Sequence, residues 1–171
     1  MTNTIEPMLS EFREEVATTK RALQRIPADK LAWKPHPKSM SIGQLAMHIV
    51  LIPGRLSQLA LQEGLDVTQA NFNPPQPKDV EEILAVYEQS VLDAENCLQG
   101  MTEQQAHAKW RLMRRDKEIF SRPRVEILRT ILLNHWYHHR GQLSVYLRLL
   151  DVPVPVTYGP SADENPFTEA A

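Results

Sequence analysis

The sequence predicts an all-α protein: a four-helix bundle with an extended, proline-rich C-terminal tail. Two observations carry this. Four segments place apolar residues at helical spacing, and each is bounded by capping residues, proline or glycine. Each segment is also long enough to cross a small domain, and four such helices satisfy their apolar faces best around one core. The 171 residues suit one domain spanning 1–171, with the tail at 151–171 packed on the body.

The first helix is expected over residues 9–26, with Leu9, Phe12, Val16, Leu23 and Ile26 near one stripe and Thr19 its weaker position. Pro27 and Asp29 redirect the chain, and Trp33–Pro37 is a loop because its prolines restrict their predecessors. The second helix starts near Ser39 or Ser41, since Ser41 with Gln44 makes a capping-box pattern. Ile42, Leu45, Ile49, Ile52, Leu56 and Leu59 form its apolar face. Pro53 is expected to kink or divide it, and Gly64 to stop it.

Residues 66–78 are a polar, proline-rich connector. Asp79 and Glu82 cap a third helix, with Ile83, Leu84, Tyr87, Val91, Ala94 and Leu98 on one face and Gly100 at its end. Thr102 and Gln105 suggest a short helical turn. The segment to about Phe120 has no defined pattern. The last helix is expected from about Arg122 to Leu150, with Ser121 as cap and Pro123 in its first turn. Beyond Asp151, prolines 153, 155, 160 and 166 forbid a helix, and the interspersed valines argue for packing against the body.

Formal net charge is −2, which gives no general attraction to nucleic acid. The basic run Lys109–Lys117 reads as a solvated connector or helix face, so no specific nucleic-acid binding is expected. No apolar run approaches a membrane span of roughly 18 residues. A single cysteine, Cys97, excludes an intramolecular disulfide, and the N-terminus lacks a signal-peptide pattern. A cytoplasmic location is expected. Cys97 itself reads as a small core residue.

Chemistry concentrates in the histidines. His135 and His139 lie four apart in the last helix, in register with Leu128, Ile131, Leu132 and Leu143, so both rings leave one inward face. Buried imidazoles need partners, and a metal ion or a polar network would each supply them. His48, at the inward edge of the second helix, could complete a three-histidine set. Three imidazoles leave coordination positions open, the pattern of catalytic or substrate-binding ions. All-nitrogen ligation excludes an ordinary magnesium or calcium site; zinc or nickel fits best, with iron, cobalt or manganese as alternatives. Trp136 follows His135 where a zinc protease carries glutamate, so the protease motif is absent.

His138 points about 100° away from His139 and reads as a helix-edge residue; His36 and His107 read as surface. Arg140 could bind a substrate carboxylate or pair with Asp163 or Glu164 of the tail. Trp33, Trp110, Trp136, Tyr137, Tyr146 and Tyr158 could line a cleft above the ion, with the Tyr158 hydroxyl reaching an open position. Gly141 would permit close helix contact.

The segments WKPHPKSMS, SMSIGQLAMHI around His48, and NHWYHHRGQLSVYLRLLDVPVPVTYGPSADE together resemble the DinB family, part of the DinB/YfiT-like superfamily, over about residues 8–165. The resemblance implies a left-handed four-helix bundle with a long cross-connection. It also implies a metal site held by His48, His135 and His139, and a homodimer. Some members of that superfamily are metal-dependent thiol S-transferases that use a low-molecular-weight thiol; others are hydrolytic. The expected function is a metal-dependent enzyme acting on a small molecule, a thiol transferase first. The alternatives are a hydrolase using water activated by the same ion, and a non-catalytic metal-binding or structural bundle. Catalytic residues beyond the ligands are not identified.

Overall fold

A computed structural model describes residues 4–168. Its first helix, α1 (Glu6–Leu23), carries Pro7 in its first turn, where a missing N–H costs nothing. It buries Met8, Leu9, Phe12 and Leu23, and the supposedly weak Thr19 is fully buried too. α2 (Ile42–Leu61) opens with the predicted capping box: Ser41 Oγ accepts from Gln44 N, and Gln44 Oε1 accepts from Ser41 N. α3 (Val80–Gly100) begins at Asp79, whose carboxylate accepts from Glu82 N. Thr102 and Gln105 cap the short α4 (Glu103–His107) in the same reciprocal way.

The chain stays helical through Pro53, and the reason is in its neighbours. Proline has no N–H to offer the Ile49 carbonyl one turn earlier, and its ring crowds that carbonyl. The Trp136 indole donates to Ile49 O at 3.1 Å instead. The next amide, Gly54 N, donates to Ser90 Oγ of α3 at 2.8 Å. The indole thus satisfies the carbonyl that proline frees, and Ser90 holds the backbone just beyond it.

The all-α expectation is corrected by a three-stranded sheet. β1 (Gly64–Asp66) runs parallel to β2 (Lys109–Arg114), which pairs antiparallel with β3 (Lys117–Pro123). The molecule is therefore mostly helical with a small sheet, and a pure helical bundle is not its full description. The basic run 109–117 forms most of this hairpin. Its alternation is of period two: Trp110 is buried while Lys109 and Arg111 face outward. Gly64 starts β1 because a Cβ there would lie 2.1 Å from the Arg111 carbonyl oxygen. Trp110 and Arg124 fasten the sheet end of the molecule to α2, donating to the carbonyls of Leu59 and Ala60. These carbonyls lie in the last turn of that helix, where helical donors run out, and Leu59 O also accepts from Gln62 N.

The last helical segment begins later than expected, with Pro123 just before it. It comprises α5 (Arg124–Ile127), a wide π-helical stretch (Leu128–Asn134) and α6 (His135–Leu149). α2 packs against α3 and α6, and α1 packs against the same two helices. The core between them includes Phe12, Leu45, Ile49, Tyr87, Leu132 and Trp136. After α6, Val152 and Val154 rest on this core, while Asp163 pairs with Arg148 and Glu164 with Arg25. The tail expectation covers 151–171, of which 169–171 lie outside the described residues.

Candidate metal centre

His48 lies two turns into α2, and His135 and His139 stand on the first two turns of α6. Packing of α2 on α6 brings the three rings to one point. Nε2 of His139 is 2.8 Å from that of His135 and 3.1 Å from that of His48; the third separation, His48 to His135, is 3.4 Å. All three residues are half-buried. Among the described residues this is the one cluster of three or more candidate ligand side chains.

A hydrogen-bond network explains this triangle poorly. Each Nε2 offers either one N–H or one lone pair. Three such atoms facing one another must set at least one like pair in opposition. Gln142 fixes part of the choice: its Oε1 lies 2.7 Å from His139 Nδ1, which donates to it and leaves a lone pair on Nε2. His135 Nδ1 is buried without a hydrogen bond of good geometry, although the Ile131 carbonyl is near enough to oppose the effect of burial on that ring. A cation among three lone pairs removes the conflict. The spacing suits one, since nitrogens about 2.0–2.1 Å from a common ion at tetrahedral angles lie about 3.3 Å apart, and at right angles about 2.9 Å.

The electrostatics agree. The His48 pKa is pushed down to about 4, chiefly by burial and then by the charges of His139, His135 and Arg55. Burial also lowers His135 and His139. All three rings are neutral at pH 7, as ligand imidazoles must be. The residues fit a divalent transition ion; its identity is not fixed by the donor set.

The cluster opens on a cavity of about 420 Å³ whose wall includes His48 and His135. Leu56, Leu59, Trp110, Leu112 and Ile131 supply much of the rest, and Phe72 and Pro74 of the 66–78 connector also line it. Among the described residues no carboxylate lines it. The sheet missed in the sequence therefore builds one wall of the site.

Several sequence expectations are corrected here. Tyr158 does not reach the histidines; its hydroxyl meets Arg140 Nη2. Arg140 is buried and pairs with Glu15, while the tail acids take other arginines. Of the six aromatics considered for the cleft, Trp110 alone lines this cavity. Trp136 is in the core, and Trp33 packs edge-on against Tyr146. A Cβ on Gly141 would meet nothing within 4 Å, so no close helix contact requires that glycine. His36, His107 and His138 are exposed and none joins the triangle of Nε2 atoms, although the His138 ring packs edge-on against His139 with centroids 4.9 Å apart. Cys97 donates to Ser57 O, and burial pushes its thiol pKa up, opposite to what a nucleophile needs. Gln142 and Arg55 went unrecognised in the sequence, yet spacing could have found both. Gln142 is three residues beyond His139, and Arg55 seven beyond His48.

A search among curated proteins finds no match for this chain. Among solved structures it is similar to a DinB-like protein from Bacillus cereus, with TM-score 0.67 and 26% identity, covering 88% of this chain and 95% of that one. A DinB-like protein from Bacillus subtilis shares the fold at TM-score 0.67 and 21% identity, covering 90% of this chain and 97% of that one. The family model described as "DinB family" matches residues 1–168. With nearly its whole length covered by that model, the chain belongs to the DinB family.

Proposed function

We propose that the chain is a metal-dependent enzyme acting on a small molecule, and that its reaction is transfer of a low-molecular-weight thiol. The observation that carries this reading is the convergence of the three Nε2 atoms beside a cavity large enough for a substrate. A divalent ion held by His48, His135 and His139 would supply a Lewis acid that lowers the pKa of a thiol or water beside it. The protein's own part is to keep the imidazoles neutral, to fix the His139 tautomer through Gln142, and to surround the reacting groups with apolar walls that exclude water.

The absence of a lining carboxylate favours a thiol over water as the nucleophile. A thiol needs only its own proton removed, and its pKa starts far below that of water. Hydrolysis is the second reading. Zinc or nickel is the ion we expect. Metal analysis of untagged protein, beside a His135→Ala variant, tests the centre. Stoichiometric metal in the wild type and its loss in the variant support the reading; equal, substoichiometric metal in both would remove it. Thiol-dependent conjugation assayed against ester, amide and lactone hydrolysis then separates the two reactions.

The proposal includes a cytoplasmic homodimer. Val145 and Leu149, each 57% exposed on α6, are apolar surface that a second copy would cover. Sedimentation velocity tests it. Among the described residues no helix is long and apolar enough to cross a membrane.

A further inference from the structure

Among the described residues that line the cavity, Arg55 is the one lysine, arginine or carboxylate. Arg55 stands on α2 seven residues after His48, which is two turns along the same face and about 10 Å of helix rise. It is exposed, and no ion pair or hydrogen bond joins it to another described residue. Arg55 also borders a shallow neighbouring groove that contains Asp93, but the two are not paired there. Other arginines of the chain, including Arg13, Arg25, Arg129, Arg140 and Arg148, do have carboxylate partners. Between Arg55 and His48 the wall is formed by Leu51 and Ile52, with Leu56 and Leu59 continuing it beyond.

An unpaired guanidinium beside an otherwise apolar cavity selects for charge as well as for hydrophobic area. A planar fork of donors suits a carboxylate, sulfonate or phosphate, while the aliphatic and aromatic walls reward an uncharged body. From this arrangement we infer that the site takes a small amphipathic anion, with its anionic group on Arg55, its apolar body in the cavity and its reacting group at the histidines, about 10 Å away. The placement of the reacting end rests on the metal-enzyme reading above. The anion and apolar subsites stand on the cavity alone.

Two matched probes test it: octane-1-sulfonate, a weak metal ligand, and uncharged 1-octanol. Both are titrated calorimetrically into the full-length, metal-loaded protein. The sulfonate is expected to bind at least tenfold more tightly than the alcohol, a difference of about 1.4 kcal/mol or more. Arg55→Gln should bring the sulfonate down to the level of the alcohol and leave the alcohol unchanged. Leu56→Trp, which fills the cavity, should weaken both. Equal affinity of the two probes for the wild type, failure of either to bind, or sulfonate affinity untouched by Arg55→Gln would each overturn the inference. His139 does not line the cavity. A His139→Ala protein should therefore lose metal and keep its preference for the sulfonate, so loss of the metal reading and loss of this one give different results.

Discussion

The indole of Trp136 donates to the carbonyl of Ile49, the acceptor that Pro53 leaves without its helical partner. The two bonded residues each neighbour a candidate ligand: Ile49 follows His48, and Trp136 follows His135. One hydrogen bond between buried groups therefore repairs a proline-damaged helix and fixes how α6 sits on α2 at the three histidines.

That arrangement predicts strong coupling between Trp136 and Pro53. Trp136→Phe removes the donor and leaves a buried carbonyl unsatisfied, at a cost of about 1–3 kcal/mol plus lost packing. Pro53→Ala restores an amide that can reach Ile49 O. In the double variant the loss of the indole should cost at least about 0.5 kcal/mol less than it does alone, which urea unfolding of all four proteins measures. Strict additivity would show that the bond has no part in accommodating the proline.

Gln142 should matter through His139 without touching an ion. Its carbonyl oxygen holds the Nδ1 proton and turns the Nε2 lone pair to the cluster. Gln142→Leu is expected to weaken metal binding by about 10–100-fold, while Gln142→Glu, which keeps an acceptor, retains most of it. Competition titration against a chromophoric chelator reads both. Equal affinity in all three proteins would mean that the ring is oriented by packing alone.

Most of the helical framework was legible in the chain because its signals are local. Ser41 with Gln44, Asp79, and Thr102 with Gln105 state their caps within four residues, and the inward pair His135/His139 follows from helical period alone. The sheet was not legible for two reasons. β1 is three residues long and pairs with β2, more than forty residues away, and the alternation around Trp110 is short and crowded with arginine and lysine. The meeting of His48 with the α6 pair is likewise a tertiary fact, and the buried pairing of Arg140 with Glu15 could not be distinguished in sequence from a bond to the tail acids.

The depressed histidine pKa values set a pH window for the metal-free protein. In the unfolded chain these rings titrate near the usual 6.5, whereas folded His48 does so at about 4. Between those values the unfolded state binds more protons, so stability is fullest above about pH 6.5 and falls as the pH drops toward 4. His48→Gln removes one such group and should flatten the decline. Melting temperatures of chelator-treated wild type and variant, taken from pH 7.5 to 4.5, provide the comparison; parallel curves would place the titration elsewhere. With metal bound the decline should be steeper, because protonation also expels the ion.

Arg140 offers a contrast between structural and substrate-binding charge. It follows His139 directly in the chain but faces away from the cavity. Its side chain is 4% exposed, and its guanidinium meets the Glu15 carboxylate, the Thr19 hydroxyl and Tyr158. The pair joins α1 to α6, with the tail closing over it. Removing one partner strands a buried charge, so Glu15→Ala should destabilise by about 3–5 kcal/mol. Replacing both residues by apolar ones of similar size, Glu15→Leu with Arg140→Met, should recover much of that loss, since neither charge is then left alone. Metal affinity of the folded double variant should stay within a few-fold of wild type, because neither residue touches the three imidazoles. Denaturant unfolding and metal titration of the same preparations separate the two effects: a double variant as unstable as Glu15→Ala would show that the hydrogen-bonded geometry of the pair, and not the stranded charge, is what the fold requires.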